Sequence, residues 1–428
     1  MAIAVFLKYP EDPFVLEIVQ DLIKALCQNP QCLQPLQEKF IPTIVSILSL
    51  QGEHANAAKQ DIALDVLTTV VKYSQAPLSA ALVENAFPAM IHCVLRSDDQ
   101  AVMVAGGECL RAFIFVSPEQ ICSYKNGEGL NYTMQLTTML LNPMNNEMTA
   151  GLIGRLVITI ITKMGNMLGE NVDLLLKAVI SKMQLVECLK VIMSLVVIFA
   201  HLFLTQMDAV LNFLSTVPGP TGEPAMQFVF SNWLAKQTSF FGTYERKVTT
   251  MALCKLFEYG VTTQDARLTS VTVKDLVVNE TNSPRIKTRS QATANHQWVA
   301  MPALVKMFKL LINELDHLKE ANLADYETDS DEEEDPSSGA AGDKPSGNSP
   351  PKPRFISDLY FNDDDEENTD DDQLTQELLK DPLFQANMEE NLTKFLQNFS
   401  SSEHFPMFVS HLTDSEKNVL KSIQVEVA

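Results

Sequence analysis

Apolar residues recur every three or four positions almost without interruption from Pro13 to Leu214, whereas strict alternation of apolar and polar residues is rare. The first pattern places apolar side chains on one face of an α-helix, while alternation would indicate strands. The chain is therefore predicted to be almost entirely α-helical. Turn-forming residues separate twelve candidate helices, near 13–28, 35–50, 55–73, 78–96, 99–116, 129–141, 146–165, 169–183, 185–204, 206–215, 222–236 and 243–260.

The predicted helices group into pairs whose first members begin near residues 13, 55, 99, 146, 185 and 222. This spacing of 37 to 47 residues is close to the two-helix HEAT repeat and longer than the tetratricopeptide repeat of about 34 residues. Each pair has an apolar face that it cannot bury alone, so stacking of pairs supplies the core. The predicted fold class is an all-α HEAT-repeat α-solenoid.

The helical pattern weakens after Gly260. Residues 261–297 are predicted to form a polar connection with a short helix near 264–269, and a strong helix is predicted from Trp298 to about Asn322. Helical patterning returns at Asp381, where an Asp-Pro pair is typical of a helix start. The sequence T-D-S-E at Thr413 predicts a capping box for a final helix to about Ile423.

The segment between these helical parts is strongly acidic. Residues 325–372 contain 18 acidic and three basic residues, a net charge of −15 out of −22 for the whole chain. Their low-complexity composition has too little apolar surface to offset chain entropy, which predicts disorder. The predicted organisation is HEAT-like repeats over 1–323 with a polar and basic loop at 262–297, an acidic disordered loop over 324–380, and closing helices over 381–428.

The net charge of −22 makes nucleic acid and anionic membranes unfavourable partners and favours a basic protein. The seven cysteines lie far apart without a C-x-x-C pair, as expected of reduced core thiols in the cytoplasm or nucleus. The longest apolar run, Val191 to Leu204, is shorter than the roughly 20 residues of a membrane span. We therefore expect no membrane insertion.

Motifs for catalysis and cofactor binding are missing from the sequence. There is no phosphate-binding loop, dinucleotide fingerprint, nucleophile elbow or H-E-x-x-H zinc motif. No cysteine and histidine spacing indicates a metal site. The prediction is a protein that is not an enzyme, with no catalytic, cofactor-binding or metal-binding residues.

Two acidic runs and one basic segment are the candidate partner-binding residues. The basic segment is P-R-I-K-T-R at 284–289, which could also be a small nuclear-localisation or phosphate-binding patch or a solvated loop. The acidic runs could also serve only solubility. Thr328 and Ser330 precede acidic residues in the pattern that an acidophilic kinase requires, so both are candidate phosphorylation sites. The candidate cargo-binding residues are Asp329, Asp331, Glu332, Glu333, Glu334, Asp335, Asp363, Asp364, Asp365, Glu366, Glu367, Arg285, Lys287 and Arg289.

Several stretches, in the same order along nearly the whole chain, are similar to the karyopherin-β (importin-β) family of nuclear transport receptors. They are DIALDVLTTVVKYSQAPLS (61–79), GGECLRAF (106–113), LGENVDLLLKAVISKMQ (168–184), FLSTVPGPTGEPAMQFV (213–229), KVTTMALCKLFEYG (247–260), IKTRSQA (286–292), DPLFQANMEENLTKFLQNF (381–399) and MFVSHLTDSEKNVLKSI (407–423).

The resemblance implies a receptor that shuttles between cytoplasm and nucleus. Its implied partners are basic cargo such as core histone dimers and ribosomal proteins, nucleoporins of the nuclear pore, and the GTPase Ran. It also implies that the acidic insert and the P-R-I-K-T-R segment belong to late repeats that contact cargo. Members of this family are much longer, with a main Ran surface in amino-terminal repeats, so a fragment, a truncated isoform or an incomplete gene model is expected here.

Two alternatives to a transport receptor remain at this point. A scaffold of the phosphatase-subunit kind is also a HEAT-repeat solenoid, and in it the acidic runs would only keep the protein soluble. An enzyme would need a nucleophile, a base and an orienting group, which cannot be assembled from the motifs present.

Overall fold

The computed structural model describes residues 13–52, 55–142, 144–145, 153–240, 242–278, 296–330 and 381–427. Most of these residues are helical, which confirms the predicted all-α repeat architecture. The α-helices up to residue 236 are α1 Pro13–Gln28, α2 Pro30–Leu48, α3 Ala57–Lys72, α4 Phe87–Arg96, α5 Gln100–Val116, α6 Pro118–Ser123, α7 Glu128–Leu140, α8 Ile153–Leu168, α9 Asn171–Met183, α10 Leu189–Thr205, α11 Met207–Thr216 and α12 Ala225–Lys236. A π-helix, Ala81–Ala86, leads directly into α4.

The remaining elements include the only two strands of the described residues. They are α13 Thr243–Thr263, α14 Ala266–Thr269, β1 Thr272–Val278, β2 His296–Pro302, α15 Ala303–Ser330, α16 Pro382–Gln385, α17 Met388–Ser400, α18 Phe405–Val409 and α19 Asp414–Ser422. The short predicted helix near 264–269 is confirmed as α14. The predicted capping box is also present, since the Thr413 hydroxyl accepts from the Glu416 N–H and the Glu416 carboxylate accepts from the Thr413 N–H.

Three predicted boundaries were wrong. Helix α2 begins at Pro30 rather than near 35, because the Asn29 side chain caps it and proline fits the first turn of a helix. The helix predicted from Trp298 begins at Ala303, since 296–302 pairs as a strand with the β-branched run of β1. The same helix continues to Ser330, past its predicted end near Asn322.

The described chain divides into two compact units. Unit 1 holds the described residues up to Leu202 together with Asp208–Ala225, and unit 2 holds Phe203–Met207 and the described residues from Met226 onward. In unit 1, α3 packs against α5 and α5 packs against α8, each helix belonging to the next pair along the chain. This succession is the stacking that the periodic apolar pattern predicts.

Glycine permits a close crossing between α8 and α10 within unit 1. A Cβ atom on Gly154 would lie far inside van der Waals distance of the Ser194 carbonyl oxygen. The Gly154 N–H donates instead to the Ser194 hydroxyl at 3.1 Å. The two backbones can approach this closely only because residue 154 has no side chain.

Unit 2 closes the chain around a cluster of phenylalanine rings. Phe257 of α13 stacks on Phe308 of α15 with ring centroids 5.4 Å apart, and both rings are fully buried. Phe399 of α17 and Phe408 of α18 meet Phe257 edge-on at 4.8 and 5.0 Å. Aromatic pairs with this geometry stabilise a core beyond their buried area. The cluster therefore joins the last helices of the chain to α13 and α15.

Candidate partner-binding site

The residues predicted to contact a partner are largely outside the described residues. Thr328, Asp329 and Ser330 lie in the last turn of α15, where the structure gives the backbone. Outside the described residues lie Arg285, Lys287, Arg289, Asp331, Glu332, Glu333, Glu334, Asp335, Asp363, Asp364, Asp365, Glu366 and Glu367. The elements that carry both segments all belong to unit 2, so the geometry of their attachment can be described.

A β-hairpin carries the basic segment. Strands β1 and β2 pair antiparallel, from Thr272 opposite Pro302 to Val278 opposite His296. The side-chain amide nitrogen of Gln227 on α12 donates to the Thr272 carbonyl, and the side-chain oxygen of Gln227 accepts from the Thr272 N–H. The Ala303 N–H donates to the Val271 carbonyl at 2.9 Å, which fixes the base of the hairpin to the start of α15. Residues 279–295 leave from the opposite end of the strands.

Ion pairs hold α15, from which the acidic segment continues. Lys309 donates to the Glu416 carboxylate at 2.7 Å and to the His411 carbonyl at 3.1 Å, and both side chains of the pair are largely buried. The Arg246 guanidinium binds the buried Glu314 carboxylate at 2.7 Å. Charge-assisted hydrogen bonds of this length are among the stronger ones in proteins. Helix α15 is thereby fixed to α13 and α19.

The chain re-enters the described structure on the surface of α13. The Asp381 carboxylate accepts from the Leu383 N–H at 2.9 Å, as a helix N-cap does, and from the Tyr244 hydroxyl at 3.2 Å. Lys247 donates to the Phe384 carbonyl and lies 5.4 Å from the centre of the Phe384 ring. Burial at this contact lowers the pKa of Lys247. The described residues on the two sides of 331–380 are therefore both held within unit 2.

A group of carboxylates in unit 1 was missed by the sequence prediction. We call Asp61 and Asp65 of α3, Asp99 before α5, and Glu108 of α5 the unit 1 carboxylate row. Burial, followed by the neighbouring Asp61 and Glu108, raises the pKa of Asp65 to about 7, while Lys72 acts in the opposite direction. Burial and the nearby Asp99 likewise raise the pKa of Asp61.

The member of the row on α5 is held differently. Burial favours the neutral form of Glu108, but the Arg111 guanidinium donates to its carboxylate at 2.9 and 2.6 Å and keeps the pKa below its usual value. The spacing of Asp61 and Asp65, four residues apart on a predicted helix, could have indicated two of these residues. The approach of Glu108 depends on which helices stack, so spacing along the sequence does not reveal it.

The described residues contain no cluster of three or more His, Cys, Asp or Glu side chains arranged to hold a metal ion. Among the described helices, none is by itself long and apolar enough to cross a membrane. The one combination that meets the length and composition requirement is the pair Gln100–Val116 and Pro118–Leu140, which is bent by 105°.

Comparisons with known proteins give one family. A family model described as importin-11-like TPR repeats matches residues 14–428. Importin-9 of Drosophila melanogaster is 66% identical over 424 residues, which cover 99% of this chain and 41% of the relative. Importin subunit beta-5 of Schizosaccharomyces pombe is 20% identical over 287 residues, 66% of this chain and 28% of the relative. The chain thus spans less than half the length of these relatives.

Proposed function

The chain belongs to the importin-11-like family of TPR-repeat proteins, and from this membership we propose that it forms part of a nuclear import receptor for basic protein cargo. The observation that carries the proposal is the match to an importin over 99% of the chain at 66% identity. Core histone dimers and ribosomal proteins are the proposed cargo classes, because both present dense Lys and Arg to an acidic partner.

The acidic segment is the proposed cargo contact. It concentrates a net charge of −15 in 48 residues, counted from 325 to 372, and the described residues that flank 331–380 belong to unit 2. A charge of this density attracts cationic surfaces over about one Debye length, roughly 8–10 Å at physiological salt. Asp and Glu runs would compete with DNA phosphate for cargo cations, while the folded helices give the cargo a defined surface.

Attachment to unit 2 distinguishes this segment from a free tail. The contacts of Asp381 with Tyr244 and of Lys309 in α15 with Glu416 fix described residues on either side of the segment. Ends held in place restrict the volume that the segment can explore, which raises its effective concentration near a cargo bound to the helices. The basic residues Arg285, Lys287 and Arg289 are proposed to contact acidic patches of the same cargo. The base of the hairpin whose strands flank them is joined to the start of α15, the helix that leads to the acidic segment.

Transport is proposed to proceed as in other receptors of this class. The receptor would pass nucleoporins, move between cytoplasm and nucleus, and release cargo under the control of Ran bound to GTP. In the longer family members the amino-terminal repeats are the proposed Ran surface.

Titration against a recombinant histone H2A–H2B dimer at low salt tests the cargo proposal. Replacing the ten acids at 331–335 and 363–367 by Asn and Gln should weaken affinity by roughly tenfold or more, because the attraction is electrostatic. A matched variant with the order of 325–372 scrambled keeps the charge and should retain most of the affinity. The wild-type advantage should shrink as salt is raised.

Two results would contradict the proposal. Equal affinity of the neutralised and wild-type chains would remove the acidic segment as the contact. Failure of the wild-type chain to bind the dimer, together with recovery of a stable stoichiometric complex with an enzyme, would favour the scaffold alternative instead.

A further inference from the structure

A single short turn of helix lies on α13 where the chain enters the described structure again at Asp381. We call residues 381–386, which contain α16, the docked turn. Its side chains contribute little to the core of unit 2, since Pro382 and Gln385 are exposed and Leu383 and Phe384 are only half-buried. The docked turn is therefore held mainly by something other than apolar burial.

Polar contacts with α13 hold the docked turn. The Tyr244 hydroxyl donates to the Asp381 carboxylate at 3.2 Å, and the Lys247 ammonium donates to the Phe384 carbonyl and lies against the Phe384 ring. Such contacts give a modest net stabilisation at a half-exposed site, because water can replace them. Burial lowers the pKa of Lys247, so its charged form regains water when the docked turn leaves. The attachment is thus weaker than burial in a core.

Helix α17, which follows the docked turn, has attachments of its own. The Asn387 side chain accepts from the Glu390 N–H at 3.1 Å and caps the start of α17. Met388, Leu392 and Leu396 are buried, which stabilises the helix by removing apolar surface from water. These contacts do not involve residues 381–386, so α17 can stay in place without them.

The backbone between the two helices allows them to separate. Ala386 has φ −62° and ψ 130°, and Asn387 has φ −75° and ψ 107°, so both residues are extended. Rotation at a few extended residues between elements is the usual way in which one element moves relative to the next. Residues 381–385 can therefore move without unwinding α17.

We propose that the docked turn is a releasable attachment, which detaches from α13 while α17, α18 and α19 stay folded and thereby changes the reach of the acidic segment. Release moves the point at which the chain is held from Asp381 to Asn387. It frees six residues, 381–386, which span roughly 20 Å when extended. The acidic segment could then meet a cargo surface farther from α13. This consequence rests on the proposed function, whereas the release itself does not.

Hydrogen exchange of the whole chain, measured without cargo, tests the release. The amides of Gln385 and Ala386 donate to the Asp381 and Leu383 carbonyls inside the docked turn. They should be protected in the wild-type chain. They should nevertheless exchange on the order of a hundredfold faster than the buried part of α17, because local opening costs less free energy than global unfolding.

Two lysines of α13 give matched variants. Lys247→Met removes the donor to the docked turn but keeps the aliphatic stem, and it should speed exchange of 383–386 by roughly two- to tenfold while α17 is unchanged. Lys255→Met removes a lysine that donates to the Leu204 carbonyl instead, and it should leave 383–386 at the wild-type rate.

Four results would overturn the proposal. The first two concern the wild-type chain, in which 383–386 would exchange as slowly as α17 or would show no protection at all. The other two concern Lys247→Met, in which exchange of 383–386 would be unchanged or would accelerate equally with that of α17.

Discussion

Asp61 and Asp65 of unit 1 lie in surroundings opposite to those of the paired carboxylates of unit 2. In unit 1, Asp61 and Asp65 lie near other carboxylates, and the pKa of Asp65 is raised by burial and then by its neighbours to about 7. In unit 2, Glu314 and Glu416 each meet a cation at 2.7 Å. Asp265 of unit 2 accepts several hydrogen bonds from Arg267, which lower its pKa.

The paired carboxylates of unit 2 stabilise the fold, whereas the ionised form of Asp65 in unit 1 destabilises it. A cation approaching unit 2 would have to displace an existing partner, with little net gain. A cation approaching the unit 1 carboxylate row would relieve repulsion. The paired carboxylates of unit 2 therefore hold together the helices that flank the acidic segment, whereas the charged form of Asp65 in unit 1 is disfavoured by burial and by its neighbours.

Substitution in the aromatic cluster is expected to cause the largest loss of stability. It tests whether the phenylalanine rings contribute more than the ion pairs to the stability of unit 2. Phe308→Ala should destabilise α17 and α19 by about 3–5 kcal/mol, because it empties a fully buried ring site. Hydrogen exchange of peptides from these helices measures the loss. Met407→Ala, at a side chain that is 56% exposed, is the control and should change stability little. Comparable losses of stability in both variants would show that the aromatic cluster does not stabilise unit 2.

Breaking the ion pair of unit 2 is expected to have the next largest effect. Glu416→Gln leaves Lys309 largely buried without its anion and weakens the capping box of α19, at a cost of about 3 kcal/mol. Glu403→Gln is the control, since the Glu403 side chain is 89% exposed. Exchange from α19 amides reports the difference. If the α19 amides exchanged equally fast in Glu416→Gln and Glu403→Gln, the Lys309–Glu416 ion pair would not stabilise unit 2.

In unit 1 the close crossing of α8 and α10 can be tested with two glycines of one helix. Gly154→Ala forces a methyl group against the Ser194 backbone and should cost about 1–3 kcal/mol of unfolding free energy. Gly165→Ala, also in α8, meets nothing within 4 Å and should stabilise by about 0.5–1 kcal/mol. Urea unfolding of both variants gives the comparison. Changes in unfolding free energy of the same sign for both variants would contradict the packing described for α8.

The smallest effect concerns the charge strain of unit 1. The pKa of Asp65 is higher in the folded protein than in the unfolded chain, so its ionisation destabilises the fold above pH 7, and this loss diminishes as pH falls toward 4. Asp65→Asn should therefore stabilise by about 1–2 kcal/mol at pH 8, allowing for solvent screening, and by less at pH 5.

Thermal unfolding of wild type and variant at both pH values tests this sign. Asp61, Glu108 and Lys72 face Asp65 and remain in the variant, so only one charge of the group changes. A variant less stable than wild type at pH 8 would show that Lys72 outweighs burial and the two carboxylates.

The helices were predictable where one periodic face dominates. Helix α10 was expected at 185–204 and is observed at Leu189–Thr205, since nearly every turn of it is apolar. The capping box at Thr413 was equally visible, because its chemistry lies within four consecutive residues. The β-hairpin was missed because its strands are short, and 17 residues, counted from 279 to 295, separate them.

The site was less predictable than the fold. Charge counting identifies the acidic segment, yet its attachment through Tyr244 and Lys247 depends on residues more than 130 positions away along the chain. The proximity of Asp65 and Glu108 likewise follows from the stacking of α3 on α5. Periodicity in one dimension predicts which face is buried, but it does not specify which polar groups meet across two helices.

Zero-length coupling of lysine amines to carboxylates, applied to the chain bound to a histone H2A–H2B dimer, tests the central claim most directly. Mass spectrometry of the products identifies which Asp and Glu side chains touch cargo lysines. The proposed function predicts that most cross-links fall within 325–372. Cross-links confined to Asp61, Asp65, Asp99 and Glu108, with none in 325–372, would contradict it and assign cargo contact to the unit 1 carboxylate row.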